Sequence, residues 1–319
     1  MSRYILIDGG QGGCRIVYLA DGKQILTGSG AGLGRRARDR SAGVLGVLER
    51  AFADLGPRAP DAVDAIVAGL TGFDGASETA GAVADGVRKL VRSGRVVVTN
   101  DAVTSYLGAI GFEPGAVVAA GTGVIALAGD RDGNFARSDG WGYILGDDGG
   151  GYDIGRRGLA SALRAHDGRG GSPALLQRAK DQFGEPEALR DLVYSSPNPA
   201  GEVASFAREV AEAAHEGDCV AEEIWTIAAR EVAQTATAAL GRVFAPDAPV
   251  SVSWSGNLFE ARDLMLQPFL RQVAAIWPKA GLLAPTGTAL SGAELLARSN
   301  SPPMFEDLLH EFGLPPHRP

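Results

Sequence analysis

Ile5-Leu6-Ile7-Asp8-Gly9-Gly10-Gln11-Gly12-Gly13-Cys14-Arg15 is an apolar run too short for a helix that delivers an acid, then a stretch almost free of side chains, then more strand-like sequence. With 15–20 and 24–27 it reads as a β-hairpin opening a sheet. Backbone without Cβ atoms lets several N–H groups approach phosphate oxygens, and Asp8 beside them is placed to hold a magnesium ion, directly or through water. A tight hairpin turn with a capping Asp accounts for the same residues equally well.

Working outward, 44–55 has helical apolar spacing, 65–68 is strand-like, 76–91 is helical and 95–99 is a buried strand. The alternation predicts an α/β lobe. From about Glu113 the pattern restarts, with strands at 116–120 and 124–128 flanking Gly121-Thr122-Gly123 and a third near 134–137. Helices follow over 172–183, 187–194, 201–216 and 218–243, then a strand at 250–254 and a helix over 260–276. A Pro-rich tail carries the pattern of one short amphipathic helix, 305–312. At 319 residues the chain exceeds what one core usually serves, so two lobes with a cleft are expected: 1–112, 113–300 and a tail helix in 301–319.

Composition narrows the function. The 45% hydrophobic and 21% charged residues are those of an ordinary globular protein. Thirty Lys and Arg against thirty-eight Asp and Glu give a net charge of −8, which repels a phosphodiester backbone and argues against nucleic acid as a partner. The run Arg35, Arg36, Arg38 and Arg40 reads as a solvated loop and helix face. Two cysteines, Cys14 and Cys219, suit a reducing interior and supply neither a disulfide framework nor a cluster ligand set. No leader-like N-terminus or membrane-length apolar run is present, so the expectation is a soluble, cytoplasmic protein without a membrane partner.

Four more segments carry chemistry. Gly121-Thr122-Gly123 is a second strand-turn-strand glycine loop; its Gly121-x-Gly123-x-x-Ala126 matches the dinucleotide fingerprint loosely, but that fingerprint needs a helix where 124–128 reads as a strand. Two such loops argue for one phosphate tail clasped from both lobes. Val96-Val97-Val98-Thr99-Asn100-Asp101-Ala102 ends a buried strand at an acid just where a helix begins, the place for a base that orients an alcohol for phosphoryl transfer, or for a helix cap. In 138–152, Gly140, Trp141, Asp147 and Asp148 offer aromatic and carboxylate groups suited to a sugar, the paired acids alternatively suiting a metal or a helix N-terminus. Gly256-Asn257 and Ser291-Gly292 are small residues at helix starts, where a flat base can lie close to the backbone or helices can pack.

In this order and spacing the five segments resemble the BadF/BadG/BcrA/BcrD-type ATPase family, and within it the N-acetylglucosamine and glucosamine kinases of the actin, Hsp70 and hexokinase superfamily. The likeness runs from Tyr4 to about Ala297, and its most specific element is Gly140-Trp141-Gly142 followed by Leu145-Gly146-Asp147-Asp148-Gly149. It implies a two-lobed actin-like α/β fold with a ribonuclease-H-like mixed sheet in each lobe, Mg-ATP between the lobes, and γ-phosphoryl transfer to the 6-hydroxyl of an amino sugar. By resemblance Asp101 is the catalytic base and also meets the sugar, as do Gly140, Trp141, Asp147 and Asp148. Asp8 holds Mg2+; Gly10, Gln11, Gly12 and Gly13 form the first phosphate loop, Thr122 and Gly123 the second; Gly256, Asn257, Ser291 and Gly292 lie on the adenosine side. A homodimer is likewise suggested by the resemblance alone. The chain departs from the family at Gly12 and Cys14, where hydroxyl residues are common, and at 30–34, which offers no amide to a sugar. The rival readings are an ATPase or a kinase of another hexose or a non-sugar acceptor, and a non-catalytic sugar sensor.

Overall fold

The computed structural model describes residues 2–33, 40–73, 76–246, 248–299 and 304–313, apart from the side chains of 40–42. Of the arginine run, Arg35, Arg36, Arg38 and the side chain of Arg40 fall outside that description, as does Gly34. Two compact units share the chain: Met1–Pro114 with Gly129–Phe135 and Ala284–Pro319, and Gly115–Ala128 with Ala136–Leu283.

The first unit is built on strands β1 (Arg3–Gly9), β2 (Cys14–Ala20), β3 (Lys23–Gly30), β4 (Ala62–Leu70) and β5 (Arg92–Asn100), with helices α1 (Arg40–Ala53), α2 (Ser77–Leu90) and α3 (Asp101–Ile110) between and after them. β1, β2 and β3 form an antiparallel meander, and β4 and β5 run parallel to β1. Ile5 to Ile7, Ile66 to Ala68 and Val96 to Val98 are all buried. Such continuous apolar runs mark strands covered on both faces. Ile5, Ile7, Ile66, Val96 and Val98 join one core with Leu48 and Phe52 of α1 and Val83 and Val87 of α2.

The second unit repeats the plan. Its strands are β6 (Gly115–Ala120), β7 (Val124–Gly129), β8 (Phe135–Asp139), β9 (Ser251–Ser255) and β10 (Gly281–Leu282), ordered β10-β9-β6-β7-β8. The first sheet reads β5-β4-β1-β2-β3 over the corresponding strands. Between β8 and β9 lie helices α4 (Gly151–His166), α5 (Pro173–Phe183), α6 (Pro186–Ser195), α7 (Pro199–Ser205), α8 (Ala207–His215) and α9 (Cys219–Gly241). Side-chain oxygens of Ser172, Asn198 and Asp218 accept the orphan N–H groups that start α5, α7 and α9. The helix expected over 201–216 is two, broken at Phe206, whose ring is fully buried. The helix expected from 260 begins only at Gln267 as α10 (Gln267–Ile276), after a 3-10 turn and a wide π turn that precede Pro268, which has no N–H to donate.

Two features of the C-terminal region differ from the sequence reading. Helix α11 (Ala289–Arg298), expected with the second lobe, packs instead on α3 of the first unit. The crossing is close because both helices carry glycine there: a Cβ at Gly292 would run into the Thr104 carbonyl, and one at Gly108 into that of Thr288. The expected tail helix is a single 3-10 turn, Glu306–Leu308, followed by strand β11 (His310–Gly313), antiparallel to β5. Phe305 stops a helix by adopting φ 67°. It buries its ring edge-on to Tyr106, while the open edge of β5 supplies hydrogen-bonding partners to the chain that follows.

Because no atom of a methyl group fits at Gly292, Gly292→Ala is expected to destabilise the protein by about 1–3 kcal/mol, the usual cost of overpacking a close helix crossing. Urea unfolding with an unchanged midpoint would show that the α3–α11 contact is loose.

Candidate active site

Parallel pairing sets Asp8 opposite Gly69 and Leu70 opposite Asn100, so β1, β4 and β5 end together and release Asp8, Thr71 and Asp101 at one sheet edge. The carboxyl edge of a parallel sheet is where open α/β proteins bind ligands. The Thr71 amide donates to the Gly9 carbonyl at 2.7 Å, and the Thr71 hydroxyl donates to the Asp101 carboxylate. Thr71 thus ties the first glycine loop to Asp101, and no local sequence signal pointed to it.

Asn100 is the residue that caps α3: its Oδ1 accepts from the Ala102 amide at 2.9 Å, and its Nδ2 donates to the Phe73 carbonyl at 3.0 Å. Asp101, the first residue of the helix, keeps a partly exposed side chain. Burial raises its carboxyl to about 7, the Asp8 charge adds to the rise, and the Thr71 hydroxyl with the amides of Ala102 and Asp101 offsets part of it. Asp8 is raised by burial as well, and the largely exposed Arg15 guanidinium at 3.8 Å opposes this. Cys14 is buried in the same corner, and burial together with Asp8 pushes its thiol up to about 12, so it stays protonated and is no nucleophile.

The first loop closes through the Gly10 amide on the Gly13 carbonyl and the Leu33 amide on the Gly10 carbonyl, each at 2.9 Å. Gly32 backs directly onto the Gln11 carbonyl, where a Cβ would collide. Gly12 differs: its φ is ordinary and a Cβ there would meet nothing within 4 Å. Neither conformation nor packing within the chain requires glycine at 12, which leaves room for a close approach by something else.

In the second unit, parallel β6 and β9 end side by side with Ala119 opposite Ser255, and Gly256 lies against Ala120, whose carbonyl a Cβ at Gly256 would strike. The Gly151 and Tyr152 amides, at the start of α4, donate to the Gly121 and Thr122 carbonyls at 2.8 and 2.9 Å. The loop itself therefore satisfies that helix terminus. The following aromatic loop is organised by Asp139, a residue the sequence reading did not single out. Held at φ 60°, its carboxylate accepts from the amides of Asp147 at 2.8 Å and Asp148 at 3.2 Å. Asp147 is only 4% exposed; it accepts from the Gly142 amide at 3.3 Å and lies where a Cβ of Gly123 would be. Asp148 is exposed, and its carboxyl is raised by partial burial and by Asp139, Asp153 and Glu231, with Arg157 opposing. Trp141 is 63% exposed, with the Arg137 guanidinium 4.4 Å over its ring.

Ser291 and Gly292 belong to the first unit and Gly256 and Asn257 to the second. Ser291 is engaged locally, its hydroxyl accepting from the Thr288 amide in a capping box. A cavity of about 370 Å³ in the second unit, lined by His215, Glu222, Trp225, Asp263 and Arg271 among others, contains none of the expected site residues. Its two carboxylates, one arginine and a histidine bonded to Asp263 set up no strong field of either sign. Among the described residues no helix is long and apolar enough to cross a membrane.

A family model for the BadF/BadG/BcrA/BcrD ATPase family matches residues 7–292. The chain belongs to that family. Among curated relatives of this BadF/BadG-type ATPase, the N-acetylmuramic acid/N-acetylglucosamine kinase of Clostridium acetobutylicum is 31% identical over 237 residues, 74% of this chain and 77% of that protein. The crystal structure named "Putative N-acetylglucosamine Kinase" from Chromobacterium violaceum is 29% identical, has a TM-score of 0.73, and aligns over 93% of this chain and 99% of its own. A ROK family glucokinase from Streptomyces griseus, solved with glucose and AMPPNP, shares the fold at 20% identity, TM-score 0.58, over 94% of this chain and 100% of its own. The fold is the actin-like ATPase fold, with a mixed sheet and flanking helices in each unit.

A raised carboxyl binds its proton more tightly in the folded state, so ionised Asp101 costs stability, a penalty that grows as pH rises from about 4, the unfolded value, to about 7 and is constant above. Asp101→Asn in chelator-treated protein is therefore expected to raise the thermal midpoint by a few degrees at pH 8 and to change it little at pH 4; an equal shift at both pH values would contradict the buried-charge account. Gly12→Ala is expected to keep or raise stability by about 0.4–1 kcal/mol, while the KM for a nucleotide substrate rises several-fold. An unaltered KM would remove Gly12 from the phosphate loop.

Proposed function

We propose that this protein is an ATP-dependent kinase of amino sugars, passing the γ-phosphoryl group to the 6-hydroxyl of N-acetylglucosamine or glucosamine. The observation that carries the reading is the placement of Asp101: one residue inside the helix that Asn100 caps, raised toward neutrality, and sharing its sheet edge with Asp8 and the Gly10–Gly13 loop. The name of the 31% identical relative supports an amino-sugar acceptor.

A base is most useful when its pKa lies near the working pH, and Asp101 at about 7 meets that condition. It accepts the proton of the sugar hydroxyl as that oxygen forms its bond to the γ-phosphorus. The bond from phosphorus to the bridging oxygen breaks in line, and ADP leaves with the electron pair. Backbone amides of Gln11, Gly12 and Gly13, in the turn that the Gly10 amide closes on the Gly13 carbonyl, and those of Thr122 and Gly123 with the Thr122 hydroxyl, bind phosphate oxygens and stabilise charge as it redistributes. Gly256 and Asn257, which follow β9, and Ser291 take the adenosine side, with Gly292 setting the close packing of α11 on α3. Trp141 offers its ring to the C–H face of the sugar, Asp148 accepts from its hydroxyls, and Asp147 with Gly140 shapes the loop that presents them.

Asp8 suits a magnesium ion. Its burial and the charge it imposes on Asp101 leave a negative corner that Arg15, at 3.8 Å and largely exposed, neutralises poorly. Among the described residues no three His, Cys, Asp or Glu side chains converge as a metal cage. Magnesium fits such a site because it keeps most of its shell from water and phosphate oxygens. When bound there it supplies charge neutralisation for the β- and γ-phosphates. Dependence on ATP, with two unpaired cysteines, accords with the cytoplasm as the compartment.

The decisive measurement is product formation with ATP and a panel of acceptors, including N-acetylglucosamine, glucosamine, N-acetylmuramic acid and glucose. ADP release that depends on an amino sugar, with phosphate recovered on its 6-oxygen, is the expected result; release independent of any sugar would replace this reading with that of an ATPase. Asp101→Asn is expected to bind ATP and sugar normally yet lose about a hundredfold or more in kcat, and near-normal turnover would dismiss Asp101 as the base.

A further inference from the structure

The C-terminal strand completes the sheet at the strand that carries Asp101. β11 pairs His310 with Val98 and Gly313 with Arg95. The attachment is reinforced at every turn: Arg95 makes a two-pronged ion pair with Glu311 at 2.9 Å on each arm, Arg88 donates to the carbonyls of Phe312 and Gly313 at 2.6 and 2.9 Å, and the Thr99 hydroxyl donates to the Leu308 carbonyl at 2.8 Å. Arg95 also donates to the Leu296 and Ala297 carbonyls at the end of α11. For a short terminal strand this is a strong clamp, and it grips β5 within a few residues of Asn100.

A further contact of β11 is made by His310. Its ring stands edge-on to Phe73, centroids 5.4 Å apart. The Phe73 carbonyl accepts from Asn100 Nδ2, and Asn100 Oδ1 caps the helix whose first residue is Asp101. His310 Nε2 is buried with no hydrogen-bond partner among the described residues. An orphaned ring nitrogen is a cost that an aromatic hydrocarbon would not carry, so the contact that matters on this side is the ring edge against Phe73.

We propose that β11 is a strap that positions the catalytic base, with His310 acting as a positioning residue through Phe73 and Asn100. The inference rests on Asp101 being that base. His310 touches no reacting atom in this scheme. Its ring pins the Phe73 peptide, that peptide fixes the Asn100 amide, and the amide fixes the first turn of α3. Loosening any link lets the carboxylate drift from the hydroxyl it must meet, and a drift of an ångström is enough to cost about a hundredfold in rate.

The test compares His310→Ala and His310→Phe in the full chain. His310→Ala is expected to lower kcat by about tenfold or more while leaving the KM for ATP within about twofold, the signature of a displaced group and not of lost nucleotide binding. Hydrogen exchange at the Ala102 amide and the rest of the first turn of α3 should quicken, with exchange in the centres of β1 and β4 unchanged, which shows the fold intact. His310→Phe, which keeps a ring against Phe73 and removes the orphaned nitrogen, should restore both kcat and exchange protection. The proposal is overturned if His310→Ala leaves kcat or first-turn exchange unchanged, or if His310→Phe is as impaired as His310→Ala. Failure of the base assignment is separable: Asp101→Asn would then keep its turnover, while the exchange comparison still reports whether the strap holds α3.

Discussion

The parallel register of β1, β4 and β5 is the constraint on which the site depends. Asp8, Thr71 and Asp101 are far apart in the chain, and they meet because Asp8 pairs with Gly69 and Leu70 with Asn100. A slip of one residue in either pairing would exchange the side chains packed on α1 and α2 for those of the opposite face and send the end residues to opposite sides of the sheet. Burial of Ile5, Ile7, Ile66, Val96 and Val98 in one core prevents that slip. Packing of the hydrophobic core therefore fixes the site geometry. The second unit obeys the same rule, since the β6–β9 register ends with Ala119 opposite Ser255 and brings the two following glycine turns out at one end of its sheet.

Much of the fold was legible because its signals are local. Unbroken Val and Ile runs announce strands buried on both faces, and the restart near Glu113 announces a second sheet. The placement of Asp101 at a strand–helix junction was legible too, but that Asn100 and not Asp101 takes the cap position was not. Asn and Asp are equally good caps, and the choice between them rests on the Phe73 carbonyl, which draws the Asn100 amide toward itself. Thr71 had no local signature at all, since its role comes from hydrogen bonds to Gly9 and Asp101 across the sheet. Asp139 organises the aromatic loop through a left-handed backbone conformation, which the sequence of an Asp before a Gly does not by itself disclose.

The C-terminal region shows how a correct pattern can give the wrong element. Phe305, Leu308, Leu309 and Phe312 follow helical spacing closely. In the folded chain Phe305 turns left-handed to bury its ring on Tyr106, and an unpaired sheet edge offers the next residues a better set of partners than a short isolated helix would. The same long-range logic assigns α11 to the first unit, because Gly108 and Gly292 allow an approach that no neighbouring sequence feature specifies.

Electrostatics explain why such a site exists only with structural support. Asp8 and Asp101 are both raised by burial, each would be more stable in water, and Cys14 beside them adds no further negative charge because its thiol stays protonated. Thr71 and the amides at the start of α3 recover part of the cost for Asp101, and Arg15 does so weakly for Asp8. The remaining deficit is the corner's affinity for whatever brings a proton donor or a cation to it. A sheet edge that packs two carboxylates together without neutralising them is less stable alone than when filled, so the free energy withheld from folding becomes available to binding. The rigid frame around it, from the β1–β4–β5 register to the capped first turn of α3, keeps the carboxylates from relaxing apart and losing that advantage.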